Sequence, residues 1–294
     1  MSSVSNKKPF NIGRWFFRTG WRHLLGLVVC MYAVFPILYI LSTSLYPNND
    51  INNTTALFQE FSPQNYIDLF AQETRPFARW YTNTVYIGLV TSIGSVFLSA
   101  LAAYAFSRLR FKGRRAGLLS LILMQMFPSI LGLVAIFGLL SDIGQVFPII
   151  GLNSQLGLIL VYMGGALGAG TYLMYGFFNT VPKEIDEAAT IDGASHARIF
   201  FSIILRLVAP VLAVQMLLSY IGVTSDYVLA SILLSDPNQL TLATGLQQFI
   251  NDPYSKDWSM FAAGAVLSAL PSLVLFLFLQ KYITSGLTGG AVKG

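Results

Sequence analysis

Apolar and polar positions alternate along this chain in long blocks. Six runs of twenty or more mostly apolar residues stand out, at roughly 24–46, 81–107, 116–140, 155–179, 203–225 and 259–280. Each is long enough to cross a hydrocarbon core about 30 Å thick as a helix. Arg206, near the start of the fifth run, is the one Asp, Glu, Lys or Arg that the six contain. Helices are expected, because lipid leaves no backbone polar group unpaired and a barrel would show short alternating segments instead. Pro36, Pro128 and Pro271 fall inside runs and predict kinks. Asn83, Gln125 and Gln215 are the larger polar side chains within them, suited to interhelical hydrogen bonds or to lining a pathway. The fourth run holds Gly164, Gly165, Gly168 and Gly170, and the Gly164/Gly168 spacing predicts a close helix contact.

Composition agrees with this pattern. Of 294 residues, 54% are hydrophobic and 11% charged, against roughly 25% charged in a soluble domain. The fold class that follows is all-α: a polytopic membrane protein with six transmembrane helices. With six crossings both termini share a side. That side collects every Lys and Arg of the 18 except Arg75, Arg79 and Lys256. The positive-inside rule then places both termini in the cytoplasm. This asymmetry accounts for the +5 net charge, so no nucleic-acid partner is implied. Residues 1–22 read as an amphipathic arm on the bilayer surface, with Arg14, Arg18 and Arg22 on one helix face and Trp15, Phe17 and Trp21 between them. Residues 23–285 form the membrane domain, and 286–294 a cytoplasmic tail. Cys30 is the single cysteine, which excludes an intrachain disulfide.

Catalytic and cofactor signatures are missing. Gly-Lys does not occur, so there is no Walker A loop. His23 and His196 have no metal-ligand spacing with each other or with Cys30. No Gly-x-Ser-x-Gly elbow is present. The chain is therefore expected to be no enzyme, with no cofactor and no metal. Ion-coupled carriers usually keep a charge within the membrane, and these runs offer none beyond Arg206 and Asp226 near their ends. An ion-coupled sugar carrier working alone, and a membrane-embedded enzyme, are thus the weaker classes. Neighbouring reading frames separate them from a permease that depends on an ATPase.

The loop between the fourth and fifth runs carries the most specific signal. Pro182 suits the first position of a helix, and Glu184, Asp186 and Glu187 suit its positive end. Ile185, Ala188 and Ala189 are expected on one side, where small alanines admit a partner closely. Gly193 predicts a left-handed stop, and Ser195 can cap a second helix leading into the fifth run. This loop resembles the EAA motif of bacterial ABC importer permeases, which runs Glu-Ala-Ala, three residues, Gly, nine residues, Ile-x-Leu-Pro. Glu187, Ala188, Ala189, Gly193, Ile203 and Leu205 fit in register, with Arg206 in the place of the proline. Tyr104–Phe111, Gln125–Pro128, Thr241–Gln248 and the tail Gly286–Gly294 resemble segments of the maltose-transporting branch of that family.

The resemblance implies an ABC importer type I (MetI-like) permease fold in a bacterial or archaeal cell membrane. It implies a permease subunit for maltose, maltodextrin or a related di- or oligosaccharide. The partners it implies are a larger MalF-like permease, a dimer of MalK-like ATPases that bind the ATP, and an extracytoplasmic sugar-binding protein. It implies that loop 182–205 docks on one ATPase. It implies that the tail, with Gly286, Leu287, Thr288, Gly289, Val292 and Lys293, enters the ATPase dimer. It also implies that external loop 226–258 reaches the binding protein, through a turn-prone tip at Asn251, Asp252, Pro253 and Tyr254. No substrate residue is assigned.

Overall fold

A computed structural model describes residues 16–47, 57–251 and 256–291 of the chain. Most of the N-terminal arm lies outside the described residues.

Among the described residues, three helices are continuous and apolar enough to cross a membrane: α1 (Trp21–Ser44), α3 (Phe77–Arg108) and the portion Trp258–Ile283 of the last helix, α12 (Trp258–Ala291). Between α1 and α3 lies the short α2 (Gln64–Ala71). Three more crossings are bent pairs. The third joins α4 (Arg114–Gln125) through the 3-10 turn Ser129–Gly132 to α5 (Leu133–Val146), with an 86° bend. The fourth, α6 (Gln155–Phe178), bends by 46° between Gly165 and Leu167. The fifth region joins α8 (His196–Leu207) to α9 (Ala209–Thr224) at 79°. Between α6 and α8 stands α7 (Lys183–Ile191).

The prolines act differently from one another. Pro36 and Pro271 sit inside unbroken helices. Pro128, at ψ 116°, stands at the break of the third crossing. At the fifth, Pro210 lies in the first turn of α9, where its missing N–H costs nothing. The fifth region is therefore broken at Val208, with Arg206 in its first part, α8. The apolar run 203–225 predicts the span but hides the turn within it.

Helix α3 is the centre of the bundle. Between Trp80 at one end and Tyr104 at the other, its buried face is Ile87 and small residues: Thr84, Gly88, Thr91, Ser92, Ser95, Ser99, Ala100 and Ala103. Such a face lets helix axes approach where lipid offers no hydrophobic drive between helices. At Gly88 an added Cβ would lie 2.7 Å from the Tyr220 and Thr224 side chains of α9, so the approach needs glycine there. By contrast α1 packs mainly against α12 and stays exposed along its length, as in Val28, Met31 and Phe35. Its end is tied down. The Asn65 side chain of α2 donates to the carbonyls of Ser44 and Tyr46 at 2.9 and 2.8 Å.

At the end of the bundle away from the basic loops, the chain between α9 and α12 folds into α10 (Val228–Leu233) and α11 (Leu242–Gln247). This segment is bonded to the start of α3. Trp80 Nε1 donates to the Pro237 carbonyl at 2.8 Å, and Asn83 donates to Asn238 and Leu240 carbonyls at 2.9 Å each. The Thr84 hydroxyl accepts from the Leu242 N–H at 2.7 Å. Trp80, Leu242, Leu246 and Phe249 share one buried cluster. A Cβ at position 245 would collide with the Trp80 ring. Gly245→Val is therefore expected to cost about 1–3 kcal/mol by overpacking. A lowered melting temperature of the detergent-purified protein is the measurement.

Candidate functional site

The loop at the basic end forms two helices on a shared core. Pro182 takes the N-cap of α7, one position before the expected first turn, and Glu184 and Asp186 follow in that turn. At the other end Gly193 has φ +79°, a region that glycine alone visits freely. The Ala194 N–H bonds to the Ala189 carbonyl at 2.9 Å, and the Gly193 N–H to the Thr190 carbonyl at 3.0 Å. These two bonds make a Schellman stop. The Ser195 hydroxyl then accepts from the Arg198 N–H at 3.3 Å and caps α8.

Burial divides α7 into two faces. Ala189 is buried and Ile185 half-buried, packed with Met174, Phe178, Phe200 and Ile204 beneath the ends of α3 and α6. Glu184, Glu187, Ala188 and Ile191 are exposed, at the i, i+3, i+4, i+7 spacing of a single face. Ala188 thus belongs with the outer face, which corrects its grouping with Ile185 and Ala189. Ile191 is 87% exposed, an apolar knob among acids. Ile203 and Leu205 lie half-buried on α8 against the same core. Of the motif residues, Glu187 and Ala188 are free for a partner, while Ala189, Ile203 and Leu205 hold the platform.

One ion pair fastens this platform to the bundle. Arg108, the last residue of α3, pairs through Nε with Asp186 of α7, their side chains 6% and 16% exposed. The same guanidinium donates to the Val181 carbonyl at 2.8 Å. Sequence reading counted Arg108 as one of many basic residues and Asp186 as a dipole partner. Their separation of 78 positions leaves no local pattern to find.

The other candidates sit apart from this loop. Asn251 is exposed, and Asp252, Pro253 and Tyr254 lie outside the described residues. The base of their loop is closed by the Asp257 N–H on the Phe249 carbonyl at 2.8 Å, and Asp257 Oδ1 accepts from the Met260 N–H at 2.9 Å. Gly286, Leu287, Thr288 and Gly289 continue the backbone of α12, while Val292 and Lys293 lie outside the described residues. Between these two regions runs α12, whose 34 residues extend about 50 Å at 1.5 Å per residue. Among the described residues, no group of three or more His, Cys, Asp or Glu is placed to hold a metal.

Comparison with known proteins accords with this geometry. Residues 95–289 match the model of the binding-protein-dependent transport system inner membrane component family. The chain is 39% identical over 282 residues to the galactooligosaccharides transport system permease protein GanQ of Bacillus subtilis, covering 96% of this chain and 98% of that one. It is 41% identical to the maltodextrin transport system permease protein MdxG of the same organism, covering 92% and 93%. With the maltose/maltodextrin transport system permease protein MalG of Escherichia coli it shares 37% identity, covering 92% and 95%. Its fold is similar to a chain in the crystal structure of a bacterial ABC transporter involved in the import of the acidic polysaccharide alginate. The TM-score is 0.77 at 23% identity, over 94% of this chain and 99% of that one. The chain belongs to the binding-protein-dependent transport system inner membrane component family. It is a multi-pass membrane protein of a transport permease family.

The ion pair makes a specific demand. Asp186→Ala leaves the Arg108 guanidinium buried without its counter-charge, at a cost on the order of 3 kcal/mol. Tryptic cleavage after Lys183 in the folded protein is expected to accelerate. The double variant Arg108→Met/Asp186→Leu, which removes both charges, is expected to be cleaved more slowly than the single one.

Proposed function

We propose that this chain is one of two permease subunits of an ATP-driven importer for a di- or oligosaccharide of the maltose/maltodextrin type. In this reading the basic end, with both chain termini, faces the cytoplasm. The outer face of α7 is the handle gripped by one subunit of a separate ATPase dimer. A larger MalF-like subunit completes the pathway, and an extracytoplasmic sugar-binding protein delivers the substrate. The chain itself holds no nucleotide or other cofactor, and ATP binds to the ATPase. The substrate class is inferred from the sugars after which the transport systems of GanQ, MdxG and MalG are named.

One observation carries the proposal. Helix α7 is locked on its inner face and at both ends, yet presents Glu184, Glu187, Ala188 and Ile191 to the outside. A surface that is acidic and ends on an exposed isoleucine suits a partner cleft with an apolar floor and basic rim. The tip at Asn251, Asp252, Pro253 and Tyr254 is assigned to the binding protein. The tail from Gly286 through Lys293 is assigned to the ATPase dimer.

Two experiments test these assignments. A Cβ on residue 193 would meet nothing within 4 Å, so its substitutions act through backbone conformation alone. Gly193→Val is disfavoured at positive φ, whereas Gly193→Asn tolerates it. With equal amounts of permease in the membrane, Gly193→Val is expected to lose most ATPase co-purification and ATP-dependent sugar uptake. Gly193→Asn is expected to keep both. Equal retention in the two variants removes α7 as the coupling element, and sugar uptake by the chain alone without ATP removes the importer reading. In a Cys30→Ser background, Asp252→Cys or Tyr254→Cys is expected to crosslink to the binding protein when ATP hydrolysis is trapped. Absence of a crosslink from every position in 250–257 rejects that contact.

A further inference from the structure

A groove runs along the outside of the bundle between α4 and α6. It comprises two adjoining cavities of about 570 and 680 Å³, which share Ile122, Tyr172 and Tyr175. Its walls are apolar, with Leu118, Leu119 and Ile122 on one side and Tyr172, Leu173 and Gly176 on the other. No carboxylate lines it. At its basic end stand Arg114 and Arg115. The Arg114 guanidinium lies 6.0 Å from the Tyr175 ring centre, and its Nη2 is 3.5 Å from the Tyr175 hydroxyl, which holds the charge at the mouth. Arg110 and Lys112 lie on the preceding turn, and the stretch 109–125 contains no acid. At the far end Gln125 closes over Gly168, whose missing side chain makes the room.

We propose that this groove seats one acyl chain of an anionic phospholipid, with the lipid phosphate held by Arg114 and Arg115. Length supports the assignment. From Arg114 to Gln125 a helix rises about 16 Å at 1.5 Å per residue, and one leaflet of the hydrocarbon core is about 15 Å deep. The groove therefore begins at headgroup level and stops at the bilayer midplane. Charge supports it too: basic pockets between membrane helices recognise anionic headgroups on the cytoplasmic side, and arginine suits phosphate geometry. A phospholipid supplies the phosphate and the apolar tail at that separation in one molecule. A packed protein helix would supply the apolar surface but would need acids at the Arg114 level. The proposal does not depend on which sugar the permease carries.

Native mass spectrometry of the delipidated full-length chain, with dioleoyl phosphatidylglycerol or dioleoyl phosphatidylcholine added, tests it. The wild type is expected to retain phosphatidylglycerol at least tenfold better than phosphatidylcholine. Arg114→Gln/Arg115→Gln is expected to lower phosphatidylglycerol retention to the phosphatidylcholine level. Gly176→Leu places an apolar side chain in the groove, where its Cβ meets nothing within 4 Å. That variant is expected to lose both lipids while keeping the wild-type melting temperature. Equal retention of the two lipids by the wild type overturns the proposal, as does a headgroup preference that survives the double arginine variant. Unchanged retention in Gly176→Leu overturns the acyl-chain seat. Loss of phosphatidylglycerol when the chain is purified with its second permease subunit shows a protein interface instead and also overturns it.

Discussion

The buried contact of Arg108 with Asp186 is the constraint that orders the basic end of this molecule. A charge taken out of water is costly unless it meets a counter-charge in good geometry. Arg108 could not sit at 6% exposure at the end of α3 without Asp186, and the Val181 carbonyl takes a further guanidinium N–H. Such a pair contributes little net stability compared with apolar side chains of the same size. It contributes position, since the contact of the two charges fixes one register of α7 against α3. The apolar cluster of Ala103, Tyr104, Phe178, Ala189, Ile199 and Ile204 then fills the space around that fixed point. Apolar packing alone tolerates small shifts more readily than the pair does.

Position matters because the outer face of α7 is the only part of that helix left for a partner. The inner face is spent on Ile185 and Ala189, and the C-terminal carbonyls on the Schellman bonds to Gly193 and Ala194. Ser195 turns the chain into α8, whose 79° angle to α9 comes where Pro210 allows a helix to start but not to continue unbroken from before it. The two loop helices therefore lie across the end of the bundle, braced by the ion pair on one side and by α8 on the other.

How much of this is legible in the sequence depends on the range of the interaction. Six apolar runs foretell the crossings, since run length is a local property and lipid permits few alternatives. Gly193 foretells its own conformation, and Ser195 its cap. The 79° turn is harder, because residues 203–225 are almost uniformly apolar and the boundary shows only as the proline at 210, four positions after the site where the motif places one. The face of Ala188 is not legible, because alanine is compatible with either and three-dimensional burial decides. Arg108 and Asp186 are ordinary residues of a basic loop and an acidic helix start until the fold brings them together. The same holds for Trp80 and Gly245, where a glycine in a polar loop marks the seat of an aromatic ring from another helix.

Helix α3 connects the two ends of the candidate machinery. Its 32 residues extend about 48 Å. At one end Trp80, Asn83 and Thr84 make four hydrogen bonds to the segment 237–242. That segment leads through α11 and Phe249 into the tip whose base Asp257 closes. At the other end Arg108 holds α7. In between, the serine, threonine and glycine face keeps α3 in close contact with α6 and α9. Any displacement of α7 that preserves the ion pair must carry the inner end of α3 with it. Any displacement of the segment 237–242 that preserves its hydrogen bonds must carry the outer end. The small-residue face seats large side chains of its neighbours, Tyr220 against Gly88 and Met163 against Gly94, so α3 is held along its length as well as at both ends.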